Sequence, residues 1–266
     1  MKIRKTTTTG ALILAVLGTM LAGPARVDAQ ETWDWRAQVA PGRSIEVKGV
    51  NGGITANLAA GDEVRVTARK TGRRSDPAEV EIVVVEHDAG VTICTVYPSP
   101  SGRRPNECRP GSGGRNETRN NDVSVQFTVS VPPGVEFIGQ TVNGNVRATS
   151  LESDVTARTV NGSVTATTTG IARASTVNGS IDVALGRSDW SGELEYETVN
   201  GAITVALSGE VNTEVSATTV NGGISTDFPL TIRGRFGPKR INGTIGSGGR
   251  TLSLSTVNGS LTLRRR

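Results

Sequence analysis

Aromatic side chains make up only 3% of this 266-residue chain, and it holds a single histidine, His87, and two cysteines, Cys94 and Cys108. Two thiols and one imidazole do not complete a zinc site unaided. The sequence contains no Cys/His array, phosphate-binding loop or dinucleotide fingerprint, so no metal and no cofactor are expected. The Gly-x-Ser-x-Gly nucleophile elbow is missing as well. That leaves His87, between Glu86 and Asp88, as an exposed turn histidine, and no residue is assigned a catalytic role.

A membrane-length apolar run is also lacking. Lys2, Arg4 and Lys5 precede an apolar stretch from Ala11 to Ala22, well short of the roughly 20 residues a helix needs to cross a bilayer. A basic start, a short apolar run and the small-residue pattern Val27-Asp28-Ala29 read as a signal peptide over 1–29, cleaved to leave Gln30 as the mature N-terminus. No cysteine follows the run, so a lipid anchor is not expected, nor is a transmembrane span after cleavage.

Cleavage removes four basic residues and one acidic residue, and the formal net charge falls from +4 to +1. A nucleic-acid partner needs a sustained basic surface, and the mature chain does not offer one. Its positive charge gathers in two places, the stretch from Arg103 to Arg119 and the terminal Arg264-Arg265-Arg266. An exported chain meets an oxidising compartment, periplasmic or at the cell surface, where Cys94 and Cys108 are expected to pair. The loop so closed is worth about 3 kcal/mol on the chain-entropy model.

What the sequence does hold is a repeat. Thr141-Val142-Asn143-Gly144 opens a series whose asparagines are Asn143, Asn161, Asn178, Asn200, Asn221, Asn242 and Asn258, with an outlying copy at Asn51. Short repeats of this kind indicate a stack of small β units. An alternating strand precedes each Asn-Gly and another follows it, and the inward parity flips across the motif. Asn-Gly suits a type I′ hairpin, because both central residues need positive φ. A solenoid corner built from left-handed residues gives the same flip.

The corner is near-invariant while the opposite edge varies in length, around Gly170, Gly186 to Gly192, Ser208-Gly209 and Gly246 to Gly249. That asymmetry favours stacked coils, in which asparagines bond up and down a ladder and the preceding threonines form a second one. The predicted organisation is an N-terminal β region over 30–96, an Arg/Gly/Pro-rich insertion over 97–121 read as a mobile surface loop, and a repeat solenoid over 122–266. Trp33 and Trp35 share a strand face and are expected to cap the core.

The Val131-Pro132-Pro133-Gly134 strand end and the serial Thr-Val-Asn-Gly units resemble the DUF4097-type adhesin domains of exported bacterial proteins. The stretches Ile45 to Ile54 and Gly61 to Val66 look like that family's opening strands, so the resemblance spans nearly the whole mature chain. It implies an all-β, right-handed parallel β-helix-like solenoid with Thr-Val-Asn-Gly corners and no catalytic residues. An antiparallel hairpin stack is the alternative fold. The sequence departs from the family pattern in its cysteine-containing insertion and at Arg240-Ile241-Asn242-Gly243.

The function expected is an exported, non-catalytic binding or scaffolding module of the cell envelope. Arg103, Arg104, Arg109, Arg115 and Arg119 are the candidate contacts for an envelope glycan, a lipid head group or a protein. The competing reading is a polysaccharide-active β-helix enzyme using Glu193, Glu195 and Glu197, which share one strand face about 7 Å apart at neighbours. The glycosylation patterns at Asn161, Asn178, Asn242 and Asn258 fall inside the repeat, where a glycan would obstruct stacking.

Overall fold

Small β-branched and aliphatic residues alternate with polar ones along almost every segment, and the backbone follows that period. The computed structural model describes residues 29–230, 232–233 and 238–266; the expected signal peptide lies outside them except for Ala29. The only helix among the described residues is the single turn Pro77–Glu79.

Two long sheets face each other. In spatial order the ten-stranded sheet runs Ala29–Gln38, Glu63–Gly72, Ser124–Val131, Ile54–Leu58, Val146–Leu151, Val164–Thr168, Ile181–Ala184, Ile203–Leu207, Leu261–Arg265 and Ile224–Thr226. The eleven-stranded sheet runs Ile232–Arg233, Lys239–Ile245, Thr213–Asn221, Arg250–Asn258, Glu193–Asn200, Ala172–Ser175, Val155–Arg158, Glu136–Gln140, Ser44–Lys48, Gly90–Val96 and Glu81–His87. Pairing is parallel through the middle of both sheets and antiparallel only toward their ends.

The strands before and after each stacked Asn-Gly belong to different sheets, as Val155–Arg158 and Val164–Thr168 do, so they are not the two arms of a hairpin. Inward positions are Val, Ala, Ile, Leu and Thr and are buried. Two sheets that meet along a sharp corner leave little depth between them, which keeps most large rings out. The fully buried ones place their polar atoms on backbone carbonyls: Tyr97 donates to Val123, Tyr196 to Ala172, and Trp190 to Thr251. Trp33 and Trp35 are half-buried against the core on the first strand.

The coils do not stack in chain order. Ser44–Lys48 and Ile54–Leu58 form a coil directly beside the one at Asn143. At the other end, Arg250–Asn258 and Leu261–Arg265 insert between the coil of Asn200 and the coil of Asn221. The chain passes over a one-coil slot and fills it with its last strands.

Asn242 is a correction to the predicted corners. It lies inside the strand Lys239–Ile245, antiparallel to Thr213–Asn221 and opposite Ser216. Arg240 and Ile241 stand where the other copies from Asn143 onward carry Thr and Val, so the inward hydroxyl that anchors those corners is missing there.

Candidate functional site

Seven of the predicted corner asparagines form one column, in the order Asn51, Asn143, Asn161, Asn178, Asn200, Asn258, Asn221. Each side-chain amide after the first donates to the carbonyl oxygen of the one before it, at 2.8–2.9 Å. A second column lies beneath. Thr141, Thr159, Thr176, Thr198, Thr256 and Thr219 are buried, and each hydroxyl donates to the glycine carbonyl of the adjacent coil at 2.8–3.0 Å.

The glycines are there for a reason other than the one the sequence suggested. No motif asparagine has positive φ, and of the column glycines only Gly52 and Gly179 do. A Cβ on Gly162 would instead sit 2.5 Å from the carbonyl carbon of Gly144, and Gly144, Gly179, Gly201, Gly259 and Gly222 face the coil next to them in the same way. Close approach of backbones, not left-handed geometry, selects glycine.

With threonine turned inward, the next residue turns outward. Val142, Val160, Val177, Val199, Val257 and Val220 are 38–41% exposed and make a row beside the asparagines. Val50, at the equivalent position of the first coil, is only 8% exposed. It lines a cleft together with Glu107, Arg109 and Arg115 of the insertion.

The composition of residues 97–121 predicts a mobile loop, whereas the structure pins it from several sides. Cys94 and Cys108 are bonded, with Cα atoms 5.6 Å apart. The Lys48 ammonium donates to the carbonyls of Arg109, Gly111 and Gly113 at 2.5–2.9 Å. The Glu46 carboxylate, on the same strand face, accepts the Gly111 N–H at 3.0 Å, the Thr92 hydroxyl at 2.8 Å and the Gln140 amide at 3.0 Å. Asn106 is buried and donates to Tyr97 and Glu117. Irregular backbone leaves carbonyls without ladder partners, and the lysine supplies three of them at once. Glu46 and Lys48, which hold the loop backbone, are the residues the sequence reading missed; the only signal was a charged pair two apart on a strand.

Between this loop and the first two corners lies a cleft of about 220 Å³, lined in part by Lys48, Val50, Arg109, Arg115, Gln140 and Val142. Arg109 pairs with Glu107 at 3.0 Å and Arg115 with Glu117 at 2.6 Å. Arg103, Arg104 and Arg119 are exposed on the same loop but do not line the cleft, and among the described residues no carboxylate pairs with them. The structure therefore divides the five candidate arginines into two partnered ones at the cleft and three open ones outside it.

The acidic face is laid out differently from an acid pair across a groove. Glu193, Glu195 and Glu197 follow one another along one strand, with Leu194, Tyr196 and Thr198 buried between them. They border a shallow depression of about 360 Å³ together with Arg158 and Arg173. Among the described residues no group of three or more His, Cys, Asp or Glu is arranged to hold a metal ion.

His87 is half-buried, not the exposed turn residue expected. Its Nε2 lies 3.1 Å from the Thr92 hydroxyl, which in turn donates to Glu46. Several groups depart from their ordinary ionisation, Tyr97 and Glu136 among them. Burial pushes the Tyr97 hydroxyl up to about 12. Burial, helped by the nearby Asp154 and opposed by Arg173, raises Glu136.

No curated protein matches the sequence. Solved structures that align with it include one described as a "putative cell adhesion protein" from Clostridium sporogenes, 10% identical, covering 89% of this chain and 100% of the other, with a TM-score of 0.48. A "putative adhesin" from Bacteroides fragilis is 14% identical over 89% of this chain and 97% of its own, at TM-score 0.34. Another from Parabacteroides distasonis is 11% identical with the same coverages, at 0.28. The family model described as Toastrack DUF4097 matches residues 140–264, so the stretch that carries the stacked Thr-Val-Asn-Gly coils belongs to the family its motif resembled.

Proposed function

We propose that this chain is an exported, non-catalytic, adhesin-like binding or scaffolding module of the bacterial cell envelope. Its contact surface on this reading is the pinned arginine loop, the cleft beneath it and the row of valines and asparagines leading away. One observation carries the proposal: the loop backbone is fixed by Lys48, Glu46 and a disulfide while Arg103, Arg104 and Arg119 stay open to solvent. A rigid frame that holds unpaired guanidinium groups outward suits anionic groups on an envelope glycan or lipid head group. The disulfide supports an oxidising location, periplasmic or at the cell surface. For the winding, right-handed coils with Thr-Val-Asn-Gly at the corner are the expected form, as the twist of parallel strand connections favours that hand.

The enzymatic reading requires an acid and a second carboxylate facing each other across a substrate. A single file of glutamates on one strand, beside Arg158 and Arg173, does not favour it. The test is sedimentation of the full chain with an anionic polysaccharide and, separately, with vesicles containing anionic lipid. The triple variant Arg103→Ser, Arg104→Ser, Arg119→Ser is expected to lose most binding and the salt dependence of what remains. Unchanged binding by that variant overturns the assignment. Shortening of the polysaccharide that Glu193→Gln, Glu195→Gln, Glu197→Gln abolishes would establish the enzyme instead.

A further inference from the structure

Asn-Gly is the sequence in which an asparagine side chain is most readily attacked by its own backbone, because glycine offers no Cβ to hinder the following nitrogen. The glycine N attacks the asparagine Cγ, the Cγ–Nδ2 bond breaks, and ammonia leaves with the proton from the attacking nitrogen. Water then opens the resulting succinimide at either carbonyl, giving aspartate or isoaspartate. The column carries seven such pairs, and the structure does not treat them alike.

In six of them the glycine N–H is already committed. Gly52 donates to Asn143, Gly144 to Asn161, Gly162 to Asn178, Gly179 to Asn200, Gly201 to Asn258 and Gly259 to Asn221, at 2.8–3.0 Å, always onto the asparagine carbonyl of the next coil. Attack at any of these needs that bond broken and the side-chain amide swung out of its ladder, so the coils must first part locally. All these bonds point the same way along the stack, which makes its two ends unequal. Asn51, at one end, is still protected because Gly52 donates inward. Asn221, at the other, belongs to the coil whose strand Ile224–Thr226 is the edge of its sheet. Among the described residues no further carbonyl receives the Gly222 N–H, and the side-chain Oδ1 of Asn221 accepts no amide.

We propose that Asn221 is the site of spontaneous deamidation in the folded protein, and that stacking shields the other six pairs. Conversion there removes the amide that Asn221 donates to Asn258 at 2.8 Å and sets a negative charge beside that oxygen. The terminal rung loosens while the rest of the column stays intact. Asn242-Gly243, held mid-strand opposite Ser216 and Val215, stands outside the column and outside the comparison.

The experiment is peptide mapping by mass spectrometry, with isoaspartate detection, on the full chain aged at 37 °C and mildly alkaline pH. Conversion at Asn221 is expected to run roughly tenfold or more ahead of Asn51, Asn143, Asn161, Asn178, Asn200 and Asn258, as local opening limits those six. In denaturant the seven rates are expected to converge, which assigns the difference to structure. Asn221→Gln should remove the fast conversion and leave the other six unchanged. Folded protein in which Asn161 or Asn178 converts as fast as Asn221 overturns the proposal, as does an Asn221 that is slowed by folding as much as they are.

Discussion

Replacing Gly162 by alanine tests whether coil spacing, not backbone conformation, fixes the motif. Gly162 has no positive φ, so a side chain costs nothing in conformational strain. The new Cβ would lie 2.5 Å from the Gly144 carbonyl carbon and 3.1 Å from the Asn145 nitrogen, all backbone that cannot swing aside. Restoring ordinary contact requires the two coils to separate by about 1 Å at that corner. Of the hydrogen bonds that cross the same gap, three are Thr159 to Gly144 at 2.8 Å, Gly144 to Asn161 at 3.0 Å, and Asn161 to Asn143 at 2.9 Å. Lengthened by that much they pass out of bonding range. At about 0.5–1.5 kcal/mol each, their loss amounts to roughly 1.5–4.5 kcal/mol. Gly61→Ala is the matched control, since Gly61 also lacks positive φ and a Cβ there meets nothing within 4 Å. Urea unfolding followed by circular dichroism should show a lower midpoint for Gly162→Ala and a midpoint equal to or slightly above the parent for Gly61→Ala. Equal midpoints for the two variants would refute the packing argument.

Thr176→Val keeps the buried shape but removes the hydroxyl donated to Gly162; the carbonyl left without it should cost about 1–2 kcal/mol in the same unfolding assay. Lys48→Met withdraws the ammonium from three loop carbonyls, so trypsin should cut after Arg115, the loop arginine followed by Asn116, several-fold faster, with unfolding of the coils little changed. Glu136 has a folded-state pKa raised above its usual value, so the native state holds that proton longer than the unfolded chain does. Stability should therefore fall as pH rises through the window between the two values, and Glu136→Gln should flatten that part of a stability-against-pH curve without altering the acid side.

The strands and their inward faces were legible because a period of two is written into nearly every segment, from Ser124–Val131 to Leu261–Arg265. The asparagine and threonine ladders followed from identical residues recurring at identical places. The loop was misread for a physical reason: Pro, Gly and Arg exclude a core of their own, but composition is silent on carbonyls captured from outside. Glu46 and Lys48 look like any solvated strand pair until another segment of chain is laid over them. Of the candidate arginines, sequence proximity grouped five, and only the path of the loop separates the two at the cleft from the three outside it.

The sequence by itself determined an all-β chain with stacked asparagines, buried threonines and a thin aliphatic core, because those properties depend on local alternation and on repetition. Tertiary structure decided the rest. It set the last coil between two earlier ones and turned Asn242 into a strand residue. It also made glycine a requirement of spacing, since the atom that a side chain would strike belongs to another coil. Position along the chain does not record which coil becomes the neighbour of which, and in a stack it is the neighbour that determines which groups are shielded and which are left open.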